Sequence, residues 1–136
     1  MKTLEEDTRE VRSLIIDDEL DICFLLGNLL KRKHILNDCT TTLADGKQLL
    51  SRKHFDLIVV DNHLPDGRGL DFVAYVKDHY PTTKVIMITA YLDTVADKKS
   101  LRARGIDYFL LKPLNTDSIN HAIDQLLDDP DGSLNN

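Results

Sequence analysis

Five short apolar runs recur along the chain, each stopping on a polar residue, with longer amphipathic stretches between them. The strongest is Leu57-Ile58-Val59-Val60, closed by Asp61 and then by a loop containing Pro65 and Gly67. An unbroken aliphatic run of this length predicts a strand buried on both faces, as in the middle of a parallel sheet. Its final residue, Asp61, then reaches the carboxyl edge of the sheet, where open α/β folds bind ligands. Ser13–Ile16 forms a first strand ending at Asp17-Asp18-Glu19, and the more polar stretch Ile35–Thr42 suits a sheet edge. Lys84–Ile88 is a fourth strand, stopping at Thr89-Ala90, and Tyr108–Leu111 a fifth, stopping at Lys112-Pro113.

Between the strands the period changes to that of a helix. Ile22, Leu25, Leu26 and Leu29 make one apolar stripe, with Lys31, Arg32 and Lys33 suited to the carboxyl end of that helix. Further helices are predicted at about Gly46–Lys53, from Gly69 to about His79 before Tyr80-Pro81, and over Leu92–Arg104 with Gly105 as carboxyl cap. The last starts near Thr116 and carries the stripe Ile119, Ala122, Ile123, Leu126. Five strands alternating with five helices imply a parallel sheet covered on both faces through right-handed crossovers.

Composition narrows the class. With 136 residues, 42% apolar and 29% charged, the chain suits one domain with one core. We place that domain at residues 11–128, after a polar lead-in (1–10) and before a tail (129–136) that is either a terminus or the start of a linker. No apolar run approaches the roughly 20 residues of a membrane helix, and the charged start lacks the apolar centre of a signal peptide, so a cytoplasmic protein is expected. A net charge of −6 argues against a nucleic-acid surface. Lys98, Lys99, Arg102 and Arg104 gather on the fourth helix, whereas Asp117, Asp124, Asp128, Asp129 and Asp131 lie in a final stretch with no Lys or Arg. Cys23 and Cys39 show no CxxC spacing and are expected as unpaired, small core hydrophobes. The five histidines have no ligand spacing that would indicate a metal site.

The strand ends collect the chemistry. Asp17, Asp18, Asp61, Thr89 and Lys112 are all delivered to one edge. Crowded carboxylates raise one another's pKa unless a cation sits among them, and oxygen ligands with room for water suit Mg²⁺. A phosphoryl group fits what remains, with one carboxylate as nucleophile, Thr89 as donor, and Lys112 and the cation neutralising its oxygens.

The series Asp17-Asp18, Asp61-x-x-x-Pro65-x-x-x-Gly69, Thr89-Ala90 and Lys112-Pro113 resembles the receiver domain of two-component response regulators, of the chemotaxis-regulator type, over about residues 11 to 128. That resemblance implies a flavodoxin-like, doubly wound (βα)5 fold with strand order 2-1-3-4-5. It implies Asp61 as phosphoacceptor and Mg²⁺, for which Mn²⁺ can substitute, held by Asp17, Asp18, Asp61 and the backbone carbonyl of His63. Lys112 would pair with the phosphoryl group or with Asp61, and Thr89 with Phe109 would be the switch pair that changes the face made by the fourth helix, fifth strand and fifth helix. The implied partners are a sensor histidine kinase or histidine phosphotransfer protein and an unnamed downstream protein; separately, the basic fourth helix could pair with the acidic fifth helix of a second copy, in a two-fold dimer through the switching face. Neither nucleic acid nor membrane is expected to bind this chain. The domain would modify only itself and not act as an enzyme on other substrates. Two departures stand out: Phe109 replaces the frequent Tyr and offers no hydroxyl, and Leu64 stands where Met is frequent. His63 and Tyr91, two residues beyond Asp61 and Thr89, are bulky enough to hinder the water that hydrolyses an aspartyl phosphate. Two other classes remain: a haloacid-dehalogenase-like phosphatase, which however wants Asp-x-Asp on its first strand, and an interaction module independent of phosphorylation.

Overall fold

The computed structural model describes residues 10–90 and 98–127. Five parallel strands form one sheet: β1 (Arg12–Ile16), β2 (Leu36–Thr40), β3 (Leu57–Asp61), β4 (Lys84–Thr89) and β5 (Tyr108–Leu111), ordered β2-β1-β3-β4-β5. Five helices alternate with them: α1 (Leu20–Arg32), α2 (Leu43–Arg52), α3 (Gly69–His79), α4 (Lys98–Ala103) and α5 (Thr116–Leu127). The doubly wound fold and its order match the expectation. The expected start of the fourth helix at Leu92, and the acidic residues Asp128, Asp129 and Asp131, lie outside the described residues.

The strand alternation divides the interior in two. Leu14, Ile16, Ile58, Val60, Val85 and Met87 face one side, and Ile15, Leu57, Val59, Ile86 and Ile88 the other. Every residue of β3 is buried, which is why its run is unbroken whereas β2, at the edge, reads Leu-Asn-Asp-Cys-Thr and is largely open to solvent. Lys33, capping the carboxyl end of α1, reaches Asp124 on α5 at 2.6 Å and ties together the two helices that cover the second side.

α2 begins three residues earlier than the apolar pattern predicts. Thr42 caps it, its side chain accepting from the Asp45 amide. Asp66, from the loop after β3, accepts from the amides of Leu43 and Ala44 at 2.9 and 3.0 Å, so one helix start is capped by a residue distant in sequence. A two-stranded ribbon that the sequence did not predict, His63–Leu64 with Gly67–Arg68, leads from β3 into α3.

One expectation is overturned. Cys23 and Cys39 are not unpaired core residues: they are joined as a disulfide between α1 and β2, with Cα atoms 6.1 Å apart. Cys39 is exposed and Cys23 only half-buried. The bond spans from α1 to the edge strand, and neither residue has the burial that a core hydrophobe would require.

Candidate functional site

The five polar residues at the strand ends come together. Asp17 follows β1, and its amide donates to the Thr40 carbonyl at 3.0 Å, extending the β1–β2 pairing by one residue. Asp61 ends β3 beside Ile88 of β4. Carboxylate oxygens of Asp17, Asp18 and Asp61 lie within 4.8 Å of one another. Asp17 and Asp61 are buried and Asp18 is exposed, which leaves the cluster open on one side.

Lys112 enters from the end of β5, where its amide donates to the Thr89 carbonyl at 2.9 Å and the peptide to Pro113 is cis. Its Nζ lies 3.0 Å from Asp17 Oδ2 and 3.4 Å from Asp61 Oδ2, and it also pairs with Glu19. Three carboxylates thus face one ammonium. Burial pushes the Asp17 carboxyl above its usual range, although the Glu19 amide and Lys112 partly oppose this. For Lys112, burial acts to lower the pKa, but the hydrogen bond to Glu19 and the negative charges of Asp17 and Asp61 close by prevail and hold the ammonium well above its ordinary value.

The donor set fits a hard divalent cation. Three carboxylates at this spacing repel by several kcal/mol at an effective dielectric near 20, and a single lysine cannot balance them. Asp17 Oδ2 is buried and accepts no hydrogen bond of good geometry among the described residues, despite the nearby Lys112 charge. A buried carboxylate oxygen left in this way has a lone pair available for a metal.

Thr89 ends β4, fully buried, with Oγ1 3.4 Å from Nδ1 of the His63 ring. It lies on the same side of the sheet as Met87, whose neighbour in register is Phe109. Phe109 is half-buried and packs against the core on that side. The two expected switch residues therefore sit diagonally across adjacent strands on a common face. His63 is exposed at the mouth of the site; Tyr91 lies outside the described residues.

Two contributors were not singled out from the sequence. Glu19 shares Lys112, and its place directly after the aspartate pair was the available signal. Asn62 is buried, its amide donating to the Ile88 carbonyl at 3.1 Å and its side-chain oxygen accepting from the Leu70 amide at 2.9 Å, so it fixes the turn out of β3. Gly69 explains the glycine of the motif: a Cβ there would lie 2.5 Å from the Asp61 carbonyl oxygen, so only glycine lets α3 start this close to the site.

Comparison with known proteins decides the family. The profile described as "Response regulator receiver domain" matches residues 13–124. The chain belongs to the response regulator receiver family. This receiver is 42% identical over 106 residues to the response regulator protein PilR of Pseudomonas aeruginosa, covering 76% of the present chain and 23% of PilR. The chain thus spans about a quarter of that relative's length. Among solved structures it resembles the response regulator TrrA of Thermotoga maritima in complex with Mg²⁺ and beryllofluoride, with 25% identity, a TM-score of 0.76, and coverage of 86% of this chain and 99% of that one. It also resembles the beryllofluoride-activated NtrC4 receiver domain dimer, with 30% identity, a TM-score of 0.72, and coverage of 84% and 97%. The phosphatase and phosphorylation-independent readings are not favoured by these matches. Among the described residues, no helix is long and apolar enough to cross a membrane.

Proposed function

We propose that Asp61 is the phosphoacceptor of this receiver. The observation that carries the proposal is the convergence of Asp17, Asp18 and Asp61 within 4.8 Å, with Lys112 3.4 Å from Asp61. An Asp61 carboxylate oxygen attacks the phosphorus of a phosphohistidine on a partner kinase or phosphotransfer protein; the new O–P bond forms as the N–P bond breaks and the imidazole leaves. Asp17, Asp18, Asp61 and the His63 carbonyl would hold Mg²⁺, or Mn²⁺ in its place. When bound, that ion supplies charge neutralisation of the phosphoryl oxygens. Lys112, 3.4 Å from Asp61, would contribute a second positive charge, and its carboxylate neighbours favour its charged form. The chemistry is confined to the receiver's own aspartate, and a cytoplasmic setting follows from the donor.

Thr89 and Phe109 are the proposed switch. A phosphoryl oxygen competes with the His63 ring for the Thr89 hydroxyl; as Thr89 moves, space opens for Phe109 to turn inward. Phe109 also lines a cleft of about 610 Å³ between α4 and α5, together with Leu101, Arg102, Leu110, Ser118 and His121. The switch thereby changes the surface offered to a downstream partner. A kinase or phosphotransfer protein has an apolar landing at the site's mouth, where Leu20, Phe24 and Leu111 are exposed. Bulky His63 and Tyr91 slow attack by water on the acyl phosphate.

A two-fold dimer through α4, β5 and α5 is a further element of this proposal. Lys99, Arg102 and Arg104 are exposed on one side and Asp117 on the other. Asp124 is already held by Lys33, which leaves fewer acidic partners than the sequence promises. Sedimentation of the beryllofluoride-treated protein tests it: association weakened by salt is expected, and a monomer at every salt concentration refutes it.

Phosphoramidate, whose P–N bond stands in for phosphohistidine, tests the central assignment. Treatment with Mg²⁺ should place one alkali-labile, hydroxylamine-labile phosphoryl group on the peptide containing Asp61, and none on Asp61→Asn. His63→Ala should shorten the lifetime of the label. Labelling of Asp61→Asn to the same extent overturns the assignment.

A further inference from the structure

We propose that Cys23 and Cys39 are a reversible dithiol–disulfide pair, and that their redox state adjusts the acidic cluster through Asp17. The Cα separation of 6.1 Å lies within the range a disulfide spans without backbone movement. These are the only two cysteines of the chain, and Cys39 is exposed on the edge strand where a small reagent can reach it. In a compartment that keeps thiols reduced, a disulfide of this exposure belongs to the transient, sensing kind rather than to the structural kind.

The placement gives the bond something to act on. Cys23 Sγ lies 3.6 Å from the carbonyl oxygen of Asp17. Cys39 directly precedes Thr40, whose carbonyl accepts the Asp17 amide at 3.0 Å. The disulfide therefore clamps α1 to β2 on either side of the residue that contributes a buried carboxylate to the cluster. Reduction releases the clamp and leaves Asp17 positioned by its backbone pairing, the Glu19 amide and Lys112.

The chemistry requires a low-molecular-weight disulfide such as oxidised glutathione. The Cys39 thiolate attacks one glutathione sulfur, the glutathione S–S bond breaks, and one glutathione thiolate leaves and takes up a proton. The Cys23 thiolate then attacks the Cys39 sulfur of the mixed disulfide, closing the intrachain bond and releasing the second glutathione. The two protein thiols are oxidised by two electrons and one glutathione disulfide is reduced to two thiols.

The test equilibrates the whole chain in buffers of varied reduced-to-oxidised glutathione ratio, traps free thiols with a maleimide, and reads the intact mass. Both thiols should disappear together, with no retained glutathione, and peptide mapping should give the Cys23–Cys39 crosslink; reduced glutathione should restore both. Thiols that stay alkylatable throughout, a persistent adduct on Cys39, or a crosslink that reduced glutathione never opens overturns the redox pair. The influence on the cluster rests on the metal role proposed above for Asp17, so calorimetric Mg²⁺ titration is run on both forms. The oxidised form should bind at least threefold more tightly, and Cys39→Ser should bind with the affinity of the reduced form under either condition. Equal affinities with a functioning redox pair refute the coupling; failure of both forms to bind Mg²⁺ contradicts the metal role instead.

Discussion

The bodies of β1 and β3 and their ends are one residue apart and opposite in character. Leu14, Ile15 and Ile16, like Leu57 to Val60, are buried aliphatic residues packed on both sides of the sheet. The next residues, Asp17 and Asp61, are buried as deeply but carry carboxylates. Burial in the strand bodies stabilises the fold, at about 25 cal/mol for each Å² of apolar surface removed from water. Burial at the strand ends costs stability, because charge leaves water and meets like charge. The lesson is that the sheet supplies the rigidity with which the unfavourable cluster is held ready for a cation and a phosphoryl group.

Substitutions on the two sides of that boundary should therefore have opposite signs. The largest effect is expected in the strand body: Ile58→Ala should cost about 2–5 kcal/mol, measured by denaturant unfolding, since it opens a cavity in a fully buried site. Asp17→Asn should go the other way, raising stability by on the order of 1 kcal/mol in chelator while weakening Mg²⁺ binding at least tenfold. The sign follows from the raised pKa: the ionised carboxyl destabilises the fold above that pKa, and protonation relieves it as pH falls toward the ordinary value of 3.8. The gap between Asp17→Asn and the parent should accordingly narrow on acidification. If Asp17→Asn is the less stable at pH 7 in chelator, the contrast between strand body and strand end is wrong.

The smallest effect is expected at Asp66, away from both regions. Hydrogen bonds from the Leu43 and Ala44 amides hold its carboxyl below the usual range, so it contributes stability above the unfolded value of 3.8 that is lost as pH falls through the lowered folded value. Asp66→Asn should lower the melting temperature slightly at pH 7, and the difference should vanish in acid. A pH-independent difference would mean that the capping charge is not responsible.

The strand bodies and their terminal residues were legible because a parallel sheet demands continuous apolar runs, and whatever polar residue ends such a run must surface at the same edge. Thr89 and Lys112 could be placed for that reason. Phe109 could not: its half-buried position follows from register with Met87, and its role came from family likeness alone. The early start of α2 was hidden because Asp66 caps it from 23 residues away. The cysteine pair was hidden for a similar reason, since two residues 16 apart on a helix and a strand carry no local signal of contact. Glu19 was visible beside Asp17 and Asp18, but its partner Lys112 is 93 residues distant.

The Mg²⁺ dependence of acyl phosphate formation at Asp61 tests the central claim most directly. With acetyl phosphate as donor, label on Asp61 should rise with Mg²⁺ to one phosphoryl group per chain, and should be lost in chelator and in a variant lacking both Asp17 and Asp18. Stoichiometric labelling of Asp61 without any divalent ion, or Mg²⁺-dependent labelling at a different residue, would contradict it.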